Sequence, residues 1–146
     1  AYGLAGARVG YGIGHKDLIR AFDKVRNHFG MSRLGQAGAL AALGDSDHLA
    51  RFQGFLTEAR AEISRIARAN GLTPLPSATN FVTIDTGTDG AFARRLVGAL
   101  ADRGIFVRMP FVAPQDRCIR VSCGRPAALS AFAEALPAAL AAARPG

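Results

Sequence analysis

The chain has 146 residues, 49% of them hydrophobic and 20% charged, which is the balance of a globular protein and excludes a disordered one. No apolar run approaches the ~20 residues of a membrane span, and the N-terminus lacks the basic and apolar regions of a secretory signal. The two cysteines, Cys118 and Cys123, are too few for a disulfide framework and make an incomplete metal site. They predict small buried or half-buried thiols in a reducing compartment, and we expect a cytoplasmic protein that does not contact a membrane.

The formal net charge is +7, and it is carried by sixteen arginines and two lysines. Such a charge can reflect nucleic-acid binding. The arginines are spread along the whole chain, however, and no aromatic stacking series accompanies them. The composition therefore favours anionic small molecules as partners over nucleic acids.

The first fourteen residues contain five glycines and one arginine, Arg8. Glycine lets the backbone approach a ligand closely, and a guanidinium beside such a backbone can bind a phosphate through two hydrogen bonds. From composition alone, the simpler interpretation is a glycine-rich turn that leads into a buried strand, with Arg8 on the surface. Residues 9–13 are the predicted strand of this segment.

Three helices and a loop are predicted in the next part of the chain, because apolar side chains recur there at helical spacing. The third helix is long, and its single narrow apolar stripe predicts a bridge between two halves of the molecule. The apolar stripe of the first helix consists of Leu18, Ile19, Phe22 and Val25. The predicted helices cover residues 15–27, 35–43 and 45–70, and the loop covers residues 26–32.

The remainder of the chain predicts an α+β unit, in which helices cover one face of a small, largely antiparallel sheet. Residues 73–77 contain two prolines and predict a turn or a domain seam. Pro126 fits the first turn of the last helix, where its missing N–H costs little. The predicted strands are residues 81–85, 105–108 and 118–122, and the predicted helices are residues 91–103 and the segment that begins at Pro126.

Two arginines, Arg108 and Arg120, lie in short strands that are otherwise apolar. A charge in a buried strand is costly unless it is paired. A single arginine of this kind would indicate a structural ion pair. Two of them on neighbouring strands, with no acidic residue inside either strand, indicate cations that need an anionic ligand. The planar fork of arginine suits a carboxylate or a phosphate.

The chain resembles pyridoxal-phosphate aminotransferases of fold type I (class I/II), and the histidinol-phosphate aminotransferase group in particular. Residues 2–11 (Tyr-Gly-Leu-Ala-Gly-Ala-Arg-Val-Gly-Tyr) resemble the family segment Ser-Lys-x-x-Gly-Leu-x-Gly-x-Arg-x-Gly-Tyr, in which the lysine binds the cofactor. Residues 118–122 resemble a Leu-Arg-Ile-Ser segment of the family's last strand, and residues 104–108 resemble a Gly-Ile-x-Val-Arg segment. The resemblance covers nearly the whole chain.

The resemblance implies roles for three arginines. Arg8 stands where the family binds the cofactor phosphate, and Arg120 stands where it holds the substrate α-carboxylate. Arg108 stands where the histidinol-phosphate group binds the anionic end of its substrate. The catalytic lysine is expected immediately before Ala1, and Lys16, at the start of a helix, is not its equivalent.

The resemblance also implies a loop that reaches toward the active site of a partner subunit, and Asn27 and Phe29 stand in that loop. The family has a tyrosine at the place of Phe29, so a contact from this hydroxyl to phosphate is absent here. His15, His28 and His48 form neither a metal site nor a catalytic triad, and no metal is expected.

The fold class that the resemblance implies is α/β, with the C-terminal part of a fold-type-I large domain and a small α+β C-terminal domain. Its domain boundaries would be residues 1–44 for the end of the cofactor-binding domain, 45–70 for the bridging helix and 71–146 for the small domain. The implied activity transfers an amino group between an amino acid or amino-phosphate, such as histidinol phosphate, and a 2-oxo acid such as 2-oxoglutarate. The cofactor would be pyridoxal 5'-phosphate, in a homodimer with shared sites.

Two alternatives to the aminotransferase hypothesis remain open at this point. One is a pyridoxal-phosphate-dependent decarboxylase of a phosphorylated amino acid, which has the same fold and a very similar set of arginines. The other is the aminotransferase-like sensor domain of a transcription regulator. A helix-turn-helix segment upstream would favour the regulator, and release of carbon dioxide would favour the decarboxylase.

Overall fold

The computed structural model describes residues 2–144, which form two compact units, one ending at Gln53 and the other beginning at Gly54. The boundary between the units lies inside helix α3 (Ser46–Ala69). The domain boundaries that the sequence suggests, at residues 44 and 70, stay a prediction.

The first unit consists of short helices whose N-termini are capped by side chains. A 3-10 turn at Ala5–Ala7 is followed by α1 (Lys16–Asp23), α2 (Arg33–Gly44) and the start of α3. At the start of α2, the Ser32 hydroxyl accepts a hydrogen bond from the Gly35 N–H at 2.9 Å. This bond satisfies one of the N–H groups that a helix start leaves free.

The structure corrects two predictions in the first unit. Residues 9–13 do not form a strand, because no other described strand of this unit offers the backbone partners that a ladder requires. Helix α1 ends at Asp23 rather than at residue 27. Its apolar stripe is exposed, and Gly35 is the one buried residue among those described in this unit. Helical spacing thus predicts which side chains share one face of a helix, but it does not predict whether another segment packs over that face.

The second unit is built on a three-stranded antiparallel sheet with the order β1 (Thr73–Pro74), β2 (Phe81–Asp85) and β3 (Cys118–Ser122). The helices of this unit are the second part of α3, α4 (Gly90–Ala101) and α5 (Pro126–Ala143). Pro126 lies in the first turn of α5, as predicted.

The core of the second unit lies on one face of the sheet. Val82 and Ile84 of β2 and Ile119 and Val121 of β3 are buried. The residues that alternate with them are more exposed, with the exception of the buried Cys118 at the start of β3. The helices contribute the other side of the same core. Its largest fully buried side chains are Phe132, Ile63, Ile66, Ile84, Leu96, Leu100, Ile119, Leu136 and Val82. The α+β prediction for this part of the chain is confirmed.

Two local predictions are wrong in the second unit. Thr73 and Pro74, predicted in a turn, pair with Asp85 and Ile84 as β1. Residues 105–108 do not form a regular strand, and Arg108 alone makes a bridge to β3. Two residues limit the length of any strand here. Gly104, with a φ of +76°, ends the preceding turn, and Pro110 has no N–H with which to continue a ladder.

Helix α5 is 18 residues long and apolar enough, by length and composition alone, to cross a membrane. Its buried side chains, however, belong to the same core as the sheet and α4, as is usual for the central helix of a globular unit. We therefore assign α5 to the core of the second unit.

Replacing Arg95 with methionine is expected to destabilise the second unit by about 1 kcal/mol. The Arg95 Nε donates a hydrogen bond to the Ala143 carbonyl at 2.8 Å, at the C-terminus of α5. A cation there satisfies a carbonyl that the helix leaves free. Urea denaturation measures the change, and Arg94→Met is the matched control because its side chain makes no hydrogen bond or ion pair within residues 2–144. Equal destabilisation by both variants would contradict the prediction.

The stability of the second unit is expected to depend on pH because of contacts in the loop that follows β2. The Gly87 N–H donates to Asp85 Oδ1 at 2.8 Å, and Arg117 lies 2.6 Å from Oδ2. The pKa of the Asp85 carboxyl is held below its usual range mainly by the hydrogen bond from Gly87 and, to a smaller extent, by Arg117. This contribution to stability is present above the unfolded pKa, about 3.9, and is lost as the pH falls through the lower folded pKa.

Denaturation of wild type and Asp85→Asn between pH 7 and pH 2 measures this dependence. We expect the acid-induced loss of stability to be smaller in the variant, because asparagine does not titrate. Asp102→Asn is the control, since the Asp102 side chain makes no hydrogen bond or ion pair in the part of the chain that the structure describes. An unchanged pH profile in Asp85→Asn would overturn the assignment.

Candidate anion-binding site

Arg108 and Arg120 lie directly opposite each other. The Arg108 N–H donates to the Arg120 carbonyl at 3.2 Å, and the Arg120 N–H donates to the Arg108 carbonyl at 2.6 Å. Directly opposed residues of an antiparallel pair point to the same face of the sheet. Two like charges in this position repel each other. The pairing therefore gathers two cations on one side of the sheet, away from the core residues Val107 and Ile119.

Each of the two guanidinium groups contacts an aromatic ring. The Arg120 guanidinium lies 4.7 Å from the centre of the Phe81 ring, and the Arg108 guanidinium lies 5.9 Å from that of Phe106. Such contacts orient a guanidinium and contribute about 0.5–1 kcal/mol at exposed sites, but they do not neutralise its charge. Within residues 2–144, neither side chain has an ion pair with a carboxylate.

Arg108 and Arg120 line one groove of about 690 Å³ in the second unit. This volume is in the range of small-molecule sites. Most of the wall is apolar, and none of the described residues that line it is acidic. The lining residues are Arg94, Val97, Phe106, Val107, Arg108, Met109, Pro110, Phe111 and Arg120. A groove with cations and apolar walls can bind an anion that carries an apolar body.

Sequence reasoning missed one of the cations in this groove, Arg94 of α4. The sequence shows Arg94 and Arg95 side by side, and nothing local indicates which of them faces the groove. Successive helical residues diverge by about 100° around the axis. In the structure Arg95 reaches the end of α5, and Arg94 faces the groove together with Val97, three residues later.

Arg8 lies in the first unit and has a backbone conformation that is unusual for a residue with a side chain. Its φ is +53°, directly after the 3-10 turn, and its N–H donates to the Ala5 carbonyl at 3.2 Å. Residues in this region cost of order 1 kcal/mol or more and occur preferentially at ligand sites. The guanidinium is exposed, donates to the Ala5 carbonyl at 3.1 Å and has no ion pair among the described residues.

Gly35 holds the start of α2 against the backbone just before Arg8. A Cβ added at Gly35 would lie 3.1 Å from both the Ala7 carbonyl oxygen and the Ser32 hydroxyl oxygen. Both distances are tighter than ordinary contact, so a side chain at this position would require the neighbouring atoms to shift by a few tenths of an ångström. A neighbouring apolar pocket of about 390 Å³ is lined by Tyr2, Leu4, Ala5, Val9, Gly10, Tyr11, Ala39, Ala42 and Leu43.

The predicted loop at residues 26–32 is present. The Asn27 side chain accepts a hydrogen bond from the Phe29 N–H at 3.0 Å, which fixes a local turn. The Phe29 ring is 97% exposed. His15 caps α1 by accepting from the Asp17 N–H at 3.4 Å, and the His48 ring stacks on Phe52. These two histidines therefore have structural roles in the first unit.

Both cysteines are free thiols, Cys118 buried and Cys123 half-buried, as the sequence predicts. Burial is the main factor that raises the pKa of each thiol. A raised pKa reduces the reactive thiolate fraction. Within residues 2–144, no group of three or more His, Cys, Asp or Glu side chains is arranged to hold a metal ion.

The fold is that of the α/β pyridoxal-phosphate-dependent aminotransferases of fold type I. A histidinol-phosphate aminotransferase from Sinorhizobium meliloti, solved in complex with pyridoxal-5'-phosphate, superimposes with a TM-score of 0.91 and is 52% identical. The match covers 96% of this chain and 38% of that protein. The family profile of aminotransferase class I and II matches residues 1–136. The chain belongs to this family.

Curated relatives agree with this assignment. Histidinol-phosphate aminotransferase 2 of Ralstonia nicotianae is 36% identical over 141 residues, which is 97% of this chain and 38% of the relative. An aromatic amino acid aminotransferase of Mycobacterium tuberculosis is 41% identical over 123 residues, which is 80% of this chain and 34% of the relative. The chain thus spans less than two fifths of the length of these relatives. The predicted family and the predicted fold class are confirmed.

Proposed function

We propose that the whole protein is a pyridoxal-phosphate-dependent aminotransferase that uses an amino acid or an amino-phosphate as donor and a 2-oxo acid, such as 2-oxoglutarate, as acceptor. Membership of the aminotransferase family supports this class of reaction. The observation that carries the proposal is the pair of opposed arginines, Arg108 and Arg120, in a groove without an acidic lining residue. Both the donor and the acceptor of such a reaction carry at least one anionic group.

Arg120 is the residue that we assign to the substrate carboxylate. It is half-buried, its guanidinium lies over the Phe81 ring at 4.7 Å, and its backbone position is paired with that of Thr83 in the sheet. A guanidinium with restricted orientation loses less entropy when it binds a planar carboxylate through two hydrogen bonds. Arg120 would therefore fix the end of the substrate next to the reacting carbon.

Arg108 is the residue that we assign, beside Arg120, to the anionic end of the substrate. It faces the same groove as Arg120 but is more exposed. A phosphate or carboxylate between or beside the two guanidinium groups would relieve their mutual repulsion, and a charge-assisted contact is about twice as strong as a neutral one. The apolar lining would cover the body of the substrate.

Arg8 is the residue that we assign to the cofactor phosphate. Its exposed guanidinium, the glycine-rich backbone around it and its φ of +53° fit a phosphate ester. When bound, pyridoxal 5'-phosphate supplies an electron sink for the amino-group transfer. The covalent lysine that this activity needs would stand immediately before Ala1, as the resemblance implies.

The proposal extends to the assembly and the location of the protein. Asn27 and Phe29 would belong to a loop that reaches the active site of a partner subunit in a homodimer. The almost complete exposure of the Phe29 ring supports this role, since a large apolar side chain is better covered. Phe29 has no hydroxyl, so its contact would be apolar. We further propose a cytoplasmic enzyme.

The experiment uses the full-length protein purified with pyridoxal 5'-phosphate. We expect a visible absorption band of the bound cofactor that disappears on borohydride treatment, and glutamate formation from histidinol phosphate and 2-oxoglutarate. A panel of aromatic and acidic amino donors identifies the preferred donor. Carbon dioxide release from a phosphorylated amino acid without glutamate formation would replace the proposal with a decarboxylase. A protein without the absorption band would overturn the proposal altogether.

A further inference from the structure

A third cation, Arg94, lines the groove that contains Arg108 and Arg120. It lies on the second turn of α4, with the buried residues Ala93 and Leu96 on the core side of the same helix. The Arg94 side chain is exposed and makes no hydrogen bond or ion pair with any described residue. Nothing in the described part of the second unit therefore uses its charge.

The three cations share the groove with apolar surface. Val97, Phe106 and Met109 contribute to the groove wall, together with Pro110 and Phe111. A groove lined by charges of a single sign raises the local concentration of oppositely charged ligands. Because its walls are apolar, a bound anion there is screened less than it would be in bulk water. The groove therefore favours ligands that combine an apolar body with more than one negative charge.

Comparing the negative charge of a bound group with the number of arginines in the groove indicates how Arg94 contributes to binding. A carboxylate carries one negative charge, which Arg120 alone can balance. A phosphate monoester carries about 1.5 to 2 negative charges at neutral pH. Arg108 by itself leaves part of such a charge unbalanced, whereas Arg94 and Arg108 together match it.

We infer that Arg94 is an additional substrate-binding residue that, together with Arg108, recognises a doubly charged group of the substrate. The inference rests on the proposed function for the assignment of Arg120 to the carboxylate. It goes beyond that function by assigning Arg94, with Arg108, to discrimination between ligands that carry a dianionic group and ligands that do not.

A matched pair of probes tests this role by direct binding. 4-(Phosphonomethyl)benzoate and 4-methylbenzoate share a carboxylate and a ring, and they differ in the second anionic group. Isothermal titration measures the Kd of each probe with the full-length protein loaded with its cofactor. We expect the wild type to bind the phosphonate at least tenfold more tightly. In Arg94→Gln, we expect about a tenfold loss for the phosphonate and less than a twofold change for 4-methylbenzoate.

Arg125→Gln is the matched control, because Arg125 is an exposed cation that does not line the groove. It changes the net charge by the same amount, and we expect both Kd values to stay within twofold of wild type. An equal loss of both probes in Arg94→Gln, no loss of the phosphonate, or an equal loss in Arg125→Gln would overturn the inference. A protein that shows the expected binding but transaminates no donor would overturn the proposed function and leave the role of Arg94 standing.

Discussion

Replacing Arg120 with glutamine is expected to lower kcat/KM for amino donors that carry an α-carboxylate by roughly 100- to 1,000-fold. The substitution removes two charge-assisted hydrogen bonds, together about 3–4 kcal/mol, and each 1.4 kcal/mol corresponds to a factor of ten. Steady-state transamination by the full-length protein measures this loss. The Kd for pyridoxal 5'-phosphate is expected to stay within about twofold, because Arg8 rather than Arg120 is assigned to the cofactor phosphate.

One further variant separates the role of the Arg120 guanidinium from that of its charge, and a second variant is a control for the loss of a positive charge elsewhere. Arg120→Lys keeps the positive charge but loses the planar fork, so we expect it to recover only a small part of the activity. Arg125→Gln removes an exposed cation outside the groove and is expected to retain wild-type activity. If Arg120→Gln weakened cofactor and substrate binding equally, the assignment of Arg120 to the substrate carboxylate would be wrong.

Replacing Phe132 with alanine is expected to destabilise the second unit by about 3–5 kcal/mol. Phe132 of α5 is only 2% exposed and is the largest of the fully buried side chains. Its removal leaves a cavity among residues that cannot collapse fully around it. Small domains are stable by about 5–15 kcal/mol, so this single change removes a large part of the stability.

The measurement is urea denaturation of a fragment that consists of residues 54–146. Within residues 2–144, every buried hydrophobic side chain lies between Ala59 and Ala143, so this fragment retains the whole described core. Phe111→Ala is the matched control, because the Phe111 ring is 89% exposed and its loss is expected to cost no more than about 0.5 kcal/mol. A fragment that fails to unfold cooperatively, or equal costs for both variants, would contradict the prediction.

The elements of the second unit were predictable because their patterns are local. Alternation over residues 81–85 and the mostly apolar run at residues 118–122 each depend on a few neighbours in sequence, and so does the start of α4. The Asp89 side chain, for example, accepts from the Phe92 N–H at 2.7 Å at the start of α4. The same reasoning failed at residues 105–108, where pairing depends on a distant strand and is interrupted by Pro110.

In the first unit, the sequence predicted a helix but did not predict that its apolar face is exposed. Helical spacing predicted Leu18, Ile19, Phe22 and Val25 as one face of a helix, and α1 contains the first three of them. All four side chains are nevertheless exposed, because no other described segment packs over them. The glycine-rich start was predicted as a strand, but a strand exists only where a neighbour accepts and donates its hydrogen bonds.

The residue types of the site can be read from the chain, whereas their arrangement cannot. The apolar context of Arg108 and Arg120, and the motif around Arg8, were visible in the sequence because they depend on adjacent residues. That Arg108 opposes Arg120, and that Arg94 rather than Arg95 joins them, follows from strand register and from the rotation of α4 against its neighbours. Register and helix rotation are set by the packing of residues far apart in the chain, which no local pattern encodes.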